Sequence, residues 1–255
     1  MTDGQEVLVE RRGPAMLVRL NRPRRRNAIN NALLEALTAA IEAVEAEPGV
    51  RAAILISSTP GMFCAGGDLI AMAEGEVPRA ERIFEGLGRE SRAKPWIAAV
   101  DGPVMGGGLE LALACEMVVA TDAATFGVPE PKRGILAAGG GVFRLPRAIP
   151  RAVAMEMVLT GRPITAARAY DLGLVNAVVP QGRLLDAALD LVGGVAECAP
   201  ASVAESLTIA RKAHETPEDE LWTLARAALA RLRLTDDHKE GLGAFAQKRP
   251  PVWGR

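Results

Sequence analysis

Apolar positions fall along the chain in two rhythms. Val7–Glu10 and Ala15–Leu20 are short apolar-rich runs separated by Gly13-Pro14, which predicts two strands around a turn. Leu33, Leu37, Ile41 and Val44 then recur at helical spacing. Asn30 or Asn31 can cap the start of that helix, and Pro48-Gly49 stops it. Three further apolar runs have strand length: Ala52–Ser57, Trp96–Val100 and Met117–Thr121. Each leads into a loop, two of them glycine-rich. The pattern predicts stacked strand-plus-helix units, although no fixed-period repeat is visible. Beyond about Pro200 only the helical rhythm persists, and Asp237 with Glu240 suits a capping pair for the last helix. The expected organisation is therefore a mixed α/β core over residues 1–195 and a helical C-terminal region over 196–255.

Composition narrows the classes. Of 255 residues, 49% are hydrophobic, enough for a large core, and the formal net charge of −1 argues against a broad nucleic-acid-binding surface. Cys64, Cys115 and Cys198 form no C-x-x-C pair, which argues against a disulfide framework or a zinc site. A reduced, cytoplasmic setting is expected. The opening residues are polar and acidic rather than signal-peptide-like, and no apolar run of about 18 residues predicts a membrane span.

Candidate chemistry lies in three loops. "GPVMGGGLELALACE" (Gly102–Glu116) places Gly106-Gly107-Gly108 at a helix start, with Glu110 two residues on. First-turn N–H groups lack backbone partners, and glycine leaves them bare to an anion or a developing oxyanion. Close packing explains such glycines equally well, and Glu110 alone reads as a carboxylate favouring the helix dipole. "FCAGGDL" offers a second glycine loop, Gly66-Gly67, with Asp68 as a cap. "GVPEPKRG" holds Glu130 between two prolines that stiffen its backbone. Two donor loops and two carboxylates together suit an enolate beside a polarised carbonyl.

Other chemistries fit poorly. The glycine loops lack dinucleotide-binding spacing, and Tyr170 is followed four residues later by Leu174 rather than lysine. His214 and His238 both lie in the helical tail, and no G-x-S-x-G occurs, so a Ser-His-Asp hydrolase is excluded and no metal site is expected.

The segments "LNRPRRRNAI", "FCAGGDL", "IAAVDGPVMGGGLELALACEMVVATDAATFGVPEPKRGI", "TGRPITAARAYDLGLVNAVV" and "EGLGAFAQKR" run from Leu20 to Arg249. Through them the chain resembles the enoyl-CoA hydratase/isomerase (crotonase) superfamily. The resemblance implies a superhelical core of repeated ββα units and a helical tail that mediates a homotrimer or dimer of trimers. It implies oxyanion-hole N–H groups at Gly67 and Gly107, and acid/base roles for Glu110 and Glu130. Having both carboxylates favours water addition or elimination on a 2,3-enoyl-CoA over isomerisation or mere acyl-CoA binding. No cofactor is implied, since coenzyme A is part of the substrate. By the same resemblance Arg24 or Arg25, in "RPRRR", lies by the adenosine phosphates, where a planar guanidinium suits phosphate. Ala28 lies near adenine, and Ala65, Asp68, Leu69 and Ile70 continue the binding site. Phe245 and Lys248 match a pair that reaches CoA from a neighbouring subunit. Ala137 replaces a proline common in hydratases, and "GRPITA" and "AFAQKRPPVWGR" look closer to the carnitinyl-CoA dehydratase branch.

Overall fold

The computed structural model describes residues 5–77 and 92–254. Strands β1 (Val7–Arg12) and β2 (Ala15–Leu20) pair antiparallel. A 3-10 turn at Pro23–Arg25 precedes helix α1 (Asn31–Ala46). Strand β3 (Ala52–Ser57), the short helix α2 (Leu69–Ala73) and strand β4 (Trp96–Val100) follow. Next come β5 (Pro103–Met105), α3 (Gly107–Leu113), β6 (Met117–Thr121) and β7 (Thr125–Gly127). A second 3-10 turn, Glu130–Arg133, leads to α4 (Gly141–Ala148), α5 (Arg151–Thr160), β8 (Ile164–Thr165), α6 (Ala166–Asp171) and β9 (Ala177–Val179). Four helices close the chain: α7 (Leu184–Ala196), α8 (Pro200–Lys212), α9 (Glu218–Leu232) and α10 (Asp236–Ala246).

The main sheet has the order β1-β2-β3-β4-β6-β9 and is parallel beyond the first hairpin. Both of its faces are covered, so its strands read as unbroken apolar runs. Alternate residues serve the two sides. Leu55, Ala98 and Val100 pack with Leu33 and Leu37 of α1, whereas Leu17, Ile54, Ile97 and Val119 pack with Leu184, Ala188 and Val192 of α7. A smaller sheet, β5-β7-β8, takes the chain shortly after it leaves β4 and β6. Strand–strand–helix is thus the repeated unit, and the backbone bridge between Cys64 and Val104 brings the first glycine loop against β5.

Several sequence expectations need revision. Strand β1 runs to Arg12 rather than Glu10. The second sheet adds to the expected strands, because its strands of two or three residues are too short to show alternation in the sequence. Asn30, not Asn31, caps α1 by accepting the Leu33 N–H at 3.0 Å. Thr235, not the Asp237–Glu240 pair, caps α10. Asp237 instead accepts the Ala201 N–H, and Glu240 forks with Arg249. The C-terminal region is helical, and α8, α9 and α10 bury only Ala228 and Ala244 on this chain. No single helix among the described residues is long and apolar enough to cross a membrane.

Candidate active site

The first glycine loop is strapped to Ile29. The Ile29 N–H donates to the Gly66 carbonyl at 2.7 Å, and the Asp68 N–H donates to the Ile29 carbonyl at 2.8 Å. Backbone polar groups alternate sides in an extended strand, so the Gly67 N–H faces away from that ladder. Across from it, the Gly106 N–H donates to the Gly127 carbonyl of β7 at 2.9 Å, which leaves Gly107 as the first residue of α3. Among the described residues neither Gly67 nor Gly107 uses its N–H in a hydrogen bond. The two are neighbours: a Cβ built on Gly107 would lie 3.7 Å from the Gly67 nitrogen.

Each of the three consecutive glycines has its own reason. Gly106 sits at φ +53°, ψ −122°, a conformation that disfavours side chains, and a Cβ there would collide with Oε1 of Glu130. Gly108 is a packing position, where a Cβ would lie 2.7 Å from Cys64 Cβ and 2.8 Å from its carbonyl oxygen. At Gly107 a Cβ would press on Ile29 Cδ1 at 2.9 Å and would lie 3.8 Å from Glu110 Oε2, so this position is closely packed and also borders the site. Close packing therefore bears on all three glycines, and the donor explanation applies to Gly107 in addition.

Glu110, in α3, and Glu130, at the head of the 3-10 turn, are only 4% and 7% exposed. Burial pushes the Glu110 carboxyl up to about 7; the Gly141 N–H pulls it back, the nearby Glu130 charge raises it, and Gly139 and Arg144 oppose the rise. The Gly141 N–H donates to Glu110 Oε1 at 2.9 Å. Burial also raises Glu130, against a lowering contribution from its own backbone N–H. Its Oε2 is buried without a hydrogen-bond partner among the described residues. Burial thus disfavours the charged form of both carboxyls, and the Glu130 charge adds to that effect at Glu110. The arrangement thus offers two N–H groups without a partner among the described residues and two buried carboxyls beside the same glycine turn.

The other expected site residues sort differently. Asp68 is the cap that the sequence leads one to expect. Against the desolvation of its burial, the Ala71 N–H and the Arg22 guanidinium hold its carboxyl below the usual range. Its Oδ1 caps α2, and its Oδ2 pairs with Arg22 Nη1 at 3.1 Å. Arg22 turns inward, where it also bonds the Ala28 carbonyl, while Arg24 and Arg25 stay exposed on the 3-10 turn. Ala28 is half-buried and Ala65 exposed, both on the stretch that borders Gly67. Leu69 and Ile70 are 41% and 55% exposed at the start of α2, and Ala137 is buried. Phe245, at the end of α10, is 86% exposed, and Lys248 follows in a left-handed conformation at φ +53°.

Sequence reasoning missed Gly141, whose N–H holds Glu110, and Asn27. Asn27 is buried at φ +54° and donates to Ser57 Oγ and the Phe63 carbonyl, both at 2.8 Å, which ties the basic loop to the glycine loop. The run of three glycines at 139–141 was the available signal for the first. A polar residue directly after three arginines was a weak signal for the second. No cluster of metal-ligating side chains occurs among the described residues.

A family profile described as enoyl-CoA hydratase/isomerase matches residues 10–255. The enoyl-CoA hydratase EchA19 of Mycobacterium tuberculosis is 37% identical, covering 97% of this chain and 96% of its own length. A carnitinyl-CoA dehydratase of Salmonella agona is 39% identical, with 98% of each chain covered. A crystal structure of an enoyl-CoA hydratase from Mycobacterium tuberculosis superposes with a TM-score of 0.90 at 40% identity, over 98% of this chain and 99% of that one.

Proposed function

The chain belongs to the enoyl-CoA hydratase/isomerase family, and from that premise we infer that it adds water across the 2,3 double bond of an enoyl-CoA, or removes water from the 3-hydroxyacyl-CoA. The observation that carries this reading is the convergence of two unpaired N–H groups, Gly67 and Gly107, with two buried carboxyls, Glu110 and Glu130. On this reading the thioester oxygen sits between the two N–H groups. Conjugate attack at C3 moves negative charge onto that oxygen, and donors fixed in advance stabilise it without reorganising. Removing one such donor typically costs on the order of 10²–10³ in rate.

The carboxyls divide the proton work. Glu110 accepts the Gly141 N–H, which favours its ionised form, so it takes a proton from the water that attacks C3. Glu130 has a buried oxygen without a donor, which suits the protonated form, so it delivers the proton to C2 as the enolate collapses. Membership of the family supports syn addition, with both carboxyls acting on one face of the double bond. No resident cofactor is required, since the CoA moiety serves as the binding handle.

Arg24 and Arg25 are placed on an exposed turn beside Ala28, which supports a role with CoA phosphates. The exposed Phe245 and Lys248 support a contribution to a neighbouring subunit's CoA, within a trimer or dimer of trimers built on α8–α10. The three free thiols support a reducing, cytoplasmic setting.

Relatives of comparable identity named for enoyl-CoA hydration and for carnitinyl-CoA dehydration favour testing both kinds of acyl group. A panel of 2-enoyl-CoA thioesters, with and without a quaternary ammonium on C4, is followed by loss of the conjugated-thioester absorbance. Water addition with at least one member is expected. A double bond moved without water incorporation would establish an isomerase instead, and binding with an unchanged band would leave only an acyl-CoA carrier.

A further inference from the structure

We propose that Arg144 is the positioning residue for Glu110: it braces the glycine turn whose Gly141 N–H holds this carboxyl, and its positive charge acts in support of that hydrogen bond. The proposal rests on the reading of Glu110 as the general base. Arg144 lies in α4, and its side chain folds back over the turn that precedes its own helix. A Cβ built on Gly140 would lie 3.1 Å from Arg144 Nη1 and 3.2 Å from its Cδ and Cζ. The Nη1 donates toward the Gly139 carbonyl at 3.4 Å, while the Arg144 N–H donates to the Gly140 carbonyl at 2.7 Å. Backbone and side chain of one residue thus grip the two glycines that immediately precede Gly141. Gly141 in turn gives its N–H to Glu110 Oε1 at 2.9 Å.

Glycine-rich turns are loose unless something closes them. Here Gly139, Gly140 and Gly141 have no side chains of their own to pack, so the arginine laid across them fixes where the Gly141 N–H points. The charge acts in the same direction as the hydrogen bond. Among the described residues the charged groups that act on Glu110 are Glu130, from the 3-10 turn, which opposes ionisation, and Arg144, from α4, which favours it. Arg144 itself also feels Arg92, Glu215 and Arg147, so its charge faces a mixed field rather than Glu110 alone. Loss of the arginine removes both the brace and the counter-charge, and both losses disfavour the base form.

The test compares Arg144→Gln and Arg144→Lys with the natural enzyme. Misaiming a catalytic group should lower kcat for Arg144→Gln by about 10–100-fold, with KM within about twofold. The acidic limb of the pH–kcat profile should move upward by about one unit, because an opposite charge no longer favours the carboxylate. Arg144→Lys, which keeps the charge, should leave that limb near its natural position and recover part of kcat. An isotope-edited infrared titration of the carboxyl, identified by its loss in Glu110→Gln, should show the same upward shift in Arg144→Gln without any turnover. A limb and an infrared midpoint unmoved in Arg144→Gln would overturn the proposal. So would a lysine variant as impaired as the glutamine variant with neither position changed, since that describes folding alone. An enzyme that hydrates no thioester would defeat the functional reading, and the infrared midpoint would still decide the role of Arg144.

Discussion

Glu110 and Glu130 are acids buried where water cannot solvate their charge, and that has a thermodynamic signature. Glu110 titrates near 7 in the folded protein instead of near 4.5. A raised folded value leaves stability intact below the unfolded value and removes it as pH rises through the folded one. Glu110→Gln should therefore raise the melting temperature at pH 8, by an amount reflecting roughly 2–3 kcal/mol, and the gap should narrow as pH falls toward 5. Thermal scans across that range check it; a gap independent of pH would mean the carboxyl is not desolvated. The glycine triplet separates stability from catalysis in the same way. Gly108→Ala should lower stability by about 1–3 kcal/mol through overpacking against Cys64, and Gly107→Pro should remove a donor and most of the turnover. Unchanged turnover in Gly107→Pro would exclude that N–H from the oxyanion hole.

Elements hold these residues in register, and here the sequence was unevenly legible. Strands β2, β3, β4 and β6 could be read residue for residue, because burial on both faces makes them unbroken apolar runs. Strands β5, β7 and β8 could not, because so few residues carry no period, yet β5 and β7 set the approach of the glycine loops. The four site residues were visible as residue types next to glycines and prolines. Their convergence was not, since it depends on the Ile29 strap and the Cys64–Val104 bridge. Asp68 was legible as a helix cap, but its pairing with the inward-turned Arg22, 46 residues away, was not. Asp68→Ala should therefore destabilise the fold by about 1–2 kcal/mol, because it removes the α2 cap and one of the two carboxylates, Asp68 and Glu6, that pair with Arg22. Denaturant unfolding measures this; a stable variant with weakened CoA binding alone would restore the ligand role.

At the scale of the molecule, the core completes itself and the C-terminal helices do not. Clusters on both faces of the main sheet are closed by α1 and α7, whereas Trp222, Leu229, Leu242 and Phe245 of α9 and α10 face outward on this chain. Removing the chain after Ser202 should abolish the proposed trimer in analytical ultracentrifugation, and a trimer surviving that cut would remove the tail from assembly. Phe245→Ala with Lys248→Ala should raise KM for the thioester and spare kcat, if the tail reaches a neighbour's CoA.

The most direct test of the site is the rate of water addition by Glu130→Gln, measured with the best thioester of the panel in ¹⁸O-labelled water. The two-carboxyl arrangement predicts CoA affinity within a few-fold of the natural enzyme and turnover reduced by about 10²–10⁴, with labelled 3-hydroxyacyl-CoA accumulating more slowly by the same factor. Labelled product formed at the natural rate by Glu130→Gln would contradict it.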